Sequence, residues 1–112
     1  MSDALRRLLD NTPEDPVITP HVGVMTLRFE LHGCLDGRDK QRAFAPLKSI
    51  WGREPDLAVS ETGDQDALDR ACWSIAALGP SSQQIRQRLD QIEKAIAERI
   101  DAPIVDVQCE VL

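Results

Sequence analysis

The most regular pattern in the chain is an apolar stripe that follows Pro80 and Ser81. Leucine and isoleucine recur there at steps of four and three, at Ile85, Leu89, Ile92, Ile96 and Ile100. This spacing places all five side chains on one face of a helix. Ser81 with Gln84 is typical of a capping box at the start of a helix, and Pro103 ends the pattern. The stripe therefore predicts a helix that lies on a sheet.

Alternation with a period of two, which is typical of strands with one buried face, marks two other segments. The first runs from His21 to Leu31 and the last from Ile104 to Leu112. A short strand is predicted from Leu57 to Glu61, with a turn after it. A third strand, from about Asp69 to Leu78, is apolar on both faces, and we expect it in the middle of the sheet.

A second helix is predicted between the first two strands, from Arg38 to Trp51, because Phe44, Leu47 and Trp51 share one helical face. Pro46 interrupts this segment. It predicts either a kink or a regular helix that begins only near Ala45.

The order β-α-β-β-α-β predicts a ferredoxin-like α+β fold. In this fold a four-stranded antiparallel sheet carries both helices on one face, with strands 1 and 3 in the centre. The other face of the sheet would be bare and would carry small and polar side chains. These are Thr26, Arg28, Cys72, Ser74, Ala76, Asp106, Gln108 and Glu110. Such a surface suits a homodimer, which we expect to form through sheet faces or strand edges.

The chain of 112 residues is predicted to hold an N-terminal extension, residues 1–20, and one ferredoxin-like domain, residues 21–112. The extension combines a short leucine-rich helix with a proline-rich tether. Its leucines are Leu5, Leu8 and Leu9, and its prolines are Pro13, Pro16 and Pro20. Two alternatives stay open: the leucines dock on the domain or on a partner subunit, or the segment stays largely disordered.

Composition narrows the class of protein. No apolar run reaches the length that crosses a bilayer, and the N-terminus has no signal-peptide pattern, so we expect a cytoplasmic protein without a membrane partner. The three cysteines are odd in number and far apart, which favours free thiols over disulfides or a zinc site. A net charge of −6 does not favour RNA contact, although one basic stretch could provide it. Its residues are Arg38, Lys40, Arg42, Lys48 and Arg53.

The run from Gly63 to Ala71, preceded by Ala58-Val59-Ser60-Glu61, resembles the hallmark motif of the YlxP-like proteins, a bacterial family of unknown function. The positions that match are Glu61, Gln65, Asp66, Arg70 and Ala71, and the first helix resembles the basic helix of the family at Lys40, Arg42, Leu47, Lys48 and Ser49. The chain departs from the family pattern at Gln41, Pro46, Asp64 and Leu68, and residues 1–20 have no counterpart in it. The resemblance implies a ferredoxin-like fold, often a homodimer, and genes beside translation and ribosome-maturation factors, with no established activity.

We expect a non-enzymatic accessory protein that binds a macromolecular partner, and the resemblance implies that this partner is ribosomal or a translation factor. The candidate partner-binding residues are Lys40, Arg42, Lys48, Glu61, Gln65, Asp66 and Arg70. No nucleotide-binding, esterase or zinc-protease motif is present, so no catalytic residue, cofactor or metal is predicted. The alternative is a regulatory dimer that binds a small molecule in a cleft near Gln65, Asp66 and Arg70. A purely structural role for the hairpin is also open, in which Arg70 pairs with Glu61 across the two strands.

Overall fold

A computed structural model describes residues 19–112, which form four strands, two α-helices and one short 3-10 turn. In chain order these are β1 His21–Glu30, α1 Gly37–Ser49, the 3-10 turn Trp51–Arg53, β2 Leu57–Gly63, β3 Arg70–Gly79, α2 Ser82–Arg99 and β4 Ile104–Val111. The predicted leucine-rich helix of the extension lies outside the described residues. No helix of this part is long and apolar enough to cross a membrane.

The sheet has the strand order β2-β3-β1-β4, and every neighbouring pair is antiparallel. This confirms the ferredoxin-like α+β prediction, including the central positions of strands 1 and 3. Met25 lies opposite Ile75 in this register, and Leu27 lies opposite Trp73. Because strand side chains alternate, these residues share the face that the helices cover, and their even-numbered neighbours form the open face.

The core lies between the sheet and the helices. Phe44 and Leu47 of α1 are fully buried, as are the first four residues of the α2 stripe, which are Ile85, Leu89, Ile92 and Ile96. The rings of Phe29 and Phe44 meet edge to face, with centroids 4.9 Å apart. The Ser81 hydroxyl accepts the amide of Gln84 and so caps α2 as predicted.

The prediction that the regular part of the first helix starts near Ala45 is wrong. Helix α1 begins at Gly37, where the Asp36 carboxylate caps it by accepting the amide of Asp39. Pro46 stands in the last turn, where only a few residues follow it. The helix therefore loses a single amide donor, and the Ile50 amide still bonds to the Pro46 carbonyl.

One ion pair joins the start of β2 to α2. Arg88 donates from Nε and from a terminal nitrogen to both carboxylate oxygens of Asp56, at 3.1 and 3.2 Å. The hydrogen bonds from Arg88 hold the pKa of the Asp56 carboxyl below its ordinary value, and Asp56 in turn raises the pKa of Arg88. The pair fixes the entry of the edge strand against the second helix.

Gly23 should be the least replaceable glycine of the sheet, because α2 crosses directly above it. A Cβ there would collide with Ile85 Cγ2 and lie 3.2 Å from Leu89. We expect Gly23→Ala to lower the free energy of unfolding by about 1–3 kcal/mol. Gly37→Ala is the control, since nothing lies within 4 Å of its added Cβ. Equal urea midpoints for the two variants would contradict this account of the packing.

The stability that the Asp56–Arg88 pair contributes should depend on pH. A depressed carboxyl pKa adds stability above the unfolded value of about 3.9, and this stability is lost as the pH falls through the folded pKa. Thermal unfolding of wild type and Arg88→Gln should therefore differ most near neutral pH and converge below about pH 4. Arg86→Gln, an exposed change on the same helix, should show no such convergence. A difference that stays constant from pH 7 to pH 3 would contradict the assignment.

Candidate functional site

Lys40 is a buried cation that joins α1 to the β2–β3 hairpin. Its side chain is only 5% exposed. Nζ donates to the carbonyl oxygens of Asp64 at 2.6 Å and Ala67 at 2.8 Å, with Gln65 O at 3.4 Å, and it lies 3.5 Å from Glu61 Oε2. A buried charge is tolerated only when it is paired and hydrogen-bonded, and these groups meet that condition. The Lys40 ammonium group therefore makes its contacts within the fold and stabilises it.

The remaining motif residues of the hairpin are turned mostly toward the hairpin itself. Gln65 Nε2 donates to the Glu61 carbonyl at 3.2 Å. Arg70 donates to Asp64 at 3.2 Å and to Asp69 at 3.1 Å, so the predicted pairing of Arg70 with Glu61 is wrong. Asp64 has a positive φ of 54°, a conformation that Asp adopts more readily than most residues. These contacts build a tight turn and leave no free carboxylate pair in it.

A groove of about 570 Å³ opens between α1 and the edge strand β2, beside the Lys40–Glu61 pair. Its lining residues are Lys40, Gln41, Phe44, Ala45, Lys48, Ser49, Arg53, Glu61 and Trp73. Phe44 and Trp73, which are almost wholly buried, form the apolar floor, with ring centroids 5.8 Å apart. Ala45 is exposed on the α1 side, and its small side chain leaves the groove open.

Trp73, in the floor of the groove, has an unpaired hydrogen-bond donor. Its indole Nε1 is buried and has no acceptor among residues 19–112. Lys48 Nζ lies 5.9 Å from the ring centroid, within the range of a cation–π contact. Buried donors are nearly always paired in folded proteins, so an unpaired indole N–H is a feature to explain.

Four exposed cations follow the outer side of α1 and the 3-10 turn: Arg38, Arg42, Lys48 and Arg53. We call them the basic tract. Arg42 pairs with Asp39 at 3.0 Å, whereas the other three form no ion pair within residues 19–112. A second hollow, of about 620 Å³, lies between Arg38 and Arg42 and shares Gln41 and Ala45 with the groove. The hollow and the groove therefore adjoin along the helix.

The structure divides the candidate residues into two groups. Lys40 and Glu61 meet as a pair, and only Lys48 joins them in the groove, while Arg42 lies farther along the tract. Gln65, Asp66 and Arg70 do not line the groove, and the Asp66 side chain makes no hydrogen bond or ion pair within the described part of the chain. Sequence reasoning included Arg53 in the basic stretch but did not assign Gln41 and Ser49 to the site. Their signal was a spacing of four residues on either side of Ala45, which places all three on one helical face. Among residues 19–112, no three His, Cys, Asp or Glu side chains are placed to hold a metal ion.

Replacing Lys40 should cost far more stability than replacing Lys48, which lies on the same helix about two turns later. Lys40→Met leaves buried carbonyls and the Glu61 carboxylate without their donor, so we expect a loss of about 3–5 kcal/mol in the free energy of unfolding. Lys48→Met is the matched control on the exposed side, and we expect a change within about 0.5 kcal/mol. Urea unfolding of both variants measures the difference. Similar losses would show that Lys40 is not the buried anchor described above.

No curated protein matches the chain. Among solved structures it is similar to a mutant of SnoaB, a cofactor-independent oxygenase from Streptomyces nogalater. The identity is 18% over 82% of this chain and 90% of that one, with a TM-score of 0.40. This match contradicts the prediction that the protein is not an enzyme, since the matching structure is that of an enzyme. A likeness at this level assigns neither a reaction nor a catalytic residue to the chain.

A family model matches residues 22–109, which include β2, β3, both helices, the hairpin that carries the predicted motif and most of β1 and β4. Residues 1–21 and 110–112 fall outside the match. The chain belongs to the family described as protein of unknown function DUF503.

Proposed function

We propose that the protein binds RNA of the translation machinery and that the basic tract is its contact surface. The observation that carries this proposal is the presence of four exposed cations along α1 and the 3-10 turn, only one of them paired with a carboxylate within residues 19–112. The chain as a whole has a net charge of −6. In such a protein, unpaired arginine and lysine side chains on one helix form a local positive surface that attracts a polyanion.

The connection with translation comes from the YlxP-like resemblance of the hairpin motif and of the basic first helix. The YlxP-like identity is therefore part of the proposal and not a separate finding. The structure supports the basic helix in a modified form. Lys40 is buried, and the exposed cations of this region are Arg38, Arg42, Lys48 and Arg53.

The negative charge of the rest of the protein should restrict RNA to the basic tract. Binding to a phosphate backbone gains free energy when cations release condensed counterions, and four cations predict a salt slope of about −3 for single-stranded RNA. The acidic remainder of the surface repels the same backbone. Both effects confine RNA to the tract and reduce nonspecific binding elsewhere.

The groove adds apolar surface to the charged tract. Trp73, only 5% exposed, lies at the bottom of the groove with an indole N–H that has no acceptor among residues 19–112, and Ala45 leaves space above it. Single-stranded RNA offers both phosphates and ring systems with acceptor atoms. A site that combines cations with such a floor suits this ligand better than an inorganic anion.

The alternative, a regulatory dimer with a small molecule bound near Gln65, Asp66 and Arg70, receives less support. That hypothesis needs a cleft at the hairpin, and the side chains of Gln65 and Arg70 are occupied by contacts within it. The open space lies on the other side of Glu61, toward α1. Homodimer formation stays a prediction.

Reversing two charges at the groove should weaken RNA binding without affecting the fold. We expect Lys48→Glu with Arg53→Glu to reduce the affinity for a fluorescein-labelled 20-nucleotide RNA by roughly tenfold or more and to lower the salt slope by about 1 to 2. Fluorescence anisotropy from 50 to 200 mM salt measures both quantities. Co-sedimentation with purified ribosomal particles extends the test to the translation machinery.

The matched control places the same charge change on α2. Arg86 and Arg99 are also exposed, so Arg86→Glu with Arg99→Glu alters the net charge equally. We expect this variant to keep most of the affinity. Equal losses in the two double variants would mean that net charge alone governs binding, and absence of RNA binding by the wild type at 50 mM salt would overturn the proposal.

A further inference from the structure

The open face of the sheet is divided into a polar half and an apolar half. In the polar half, Thr26 Oγ1 lies 2.9 Å from Ser74 Oγ, which in turn lies 2.7 Å from Thr62 Oγ1. Arg28 stands opposite Asp106 in the same half. The three hydroxyl groups bond to one another, and a half that carries polar and charged side chains has no need of a covering layer.

The apolar half lies at the other end of the strands. Val22 pairs with Leu78 on one side, and on the other side the amide of Leu112 donates to the Val22 carbonyl. Leu112, Val22 and Leu78 therefore form one row across the sheet, since side chains directly opposite each other point to the same face. The next row contains Val24, Ala76 and Ala58, with the charged Glu110 at its β4 end. We call the six apolar residues of the two rows the apolar patch.

Two members of the patch are unusually exposed for large aliphatic side chains. Leu78 is 57% exposed and Leu112 is 73% exposed. Adjacent exposed apolar residues on a sheet face indicate a surface that another element covers. Scattered exposed leucines would need no such explanation, but these two flank Val22 in the same row.

The first row of the patch, which holds its two exposed leucines, has the width of one helix. Its outer members are Leu78 on β3 and Leu112, the residue after β4, and β1 separates them, so they are two strand spacings of about 4.8 Å apart. This width of roughly 10 Å is the diameter of a helix with its side chains. A second copy of the sheet would have to cover the polar half as well, including Arg28 and Asp106, and six residues are few beside the roughly 20–30 per side of a stable interface.

The chain enters the sheet at this end. Residues 1–18 precede the described part, and β1 begins at His21, next to Val22. Leu5, Leu8 and Leu9 recur at helical spacing in that segment, and Leu9 is twelve residues before His21. Twelve residues span up to about 40 Å, more than enough to return over the sheet.

We propose that the leucine-rich segment of residues 5–9 docks on the apolar patch of its own domain. Leu5, Leu8 and Leu9 then cover Val22, Leu78 and Leu112, and the prolines between them form the return connection. Arg6 and Arg7 stand beside these leucines in the sequence, and Glu110, opposite Val24, borders the patch with the opposite charge. The docked segment closes the apolar half of the sheet and leaves the polar half open.

The test uses the full chain with ¹³C-labelled leucine methyl groups and a soluble paramagnetic probe. In the wild type, we expect the methyl groups of Leu78 and Leu112 to be shielded from the probe. Leu5→Ser with Leu8→Ser and Leu9→Ser should increase their relaxation enhancement at least twofold. The Leu35 methyl groups are the internal control, because Leu35 is 84% exposed in the β1–α1 loop and should respond equally in both proteins.

A second variant approaches the contact from the sheet. Leu78→Asp should increase the relaxation enhancement of the Leu8 methyl groups, whereas Leu35→Asp should leave it unchanged. Unchanged enhancement at Leu78 and Leu112 in the triple variant would overturn the proposal. Shielding that disappears on tenfold dilution would also overturn it, because it would show that a second copy covers the patch.

Discussion

The ammonium group of Lys40 determines where helix α1 lies. A lysine amine buried without partners is strongly disfavoured, and here its partners are the carbonyls of the hairpin turn and the Glu61 carboxylate. One helical turn later, Phe44 enters the core between Phe29 and Trp73. The helix is thus held by a polar anchor at its start and by an aromatic anchor at its middle. With both anchors on one side, the basic tract faces outward and the groove opens above Trp73.

The elements of the fold could be predicted because each carries its own period. The alternation in β1 and the stripe in α2 required no knowledge of the rest of the chain, and the handedness of the crossovers then fixed the strand order. The role of Lys40 was less accessible, because a lysine on a helix is ordinarily a solvent-exposed residue. The available signal was its position. Lys40, Phe44, Leu47 and Trp51 fall at steps of four, three and four, so Lys40 lies on the buried stripe itself.

The pairing of the hairpin charges could not be predicted from spacing alone. Glu61 faces Trp73 across the ladder, but a bulge follows it, and Gly63 faces Cys72. Arg70 lies three residues before Trp73 on β3, past the last residue of β2, and it forms its ion pairs with Asp64 and Asp69. Glu61 is left facing the helix, where Lys40 reaches it. The ladder therefore keeps Arg70 and Glu61 apart, and each has a different partner.

The two faces of the sheet meet different physical demands, and this separation allows both proposed surfaces to exist in a small domain. On the covered face, α1 leaves the edge strand β2 partly uncovered, and the resulting groove is bordered by cations that find few acids nearby. On the open face, hydroxyl side chains bond to one another in one half and aliphatic side chains stay exposed in the other. A polyanion attracted to α1 has no electrostatic reason to approach the apolar patch, where Glu110 is the bordering charge. A leucine-rich segment gains nothing from the basic tract, where burial of exposed cations would cost solvation. The surfaces are therefore selective for different partners because one offers charge and the other offers apolar area.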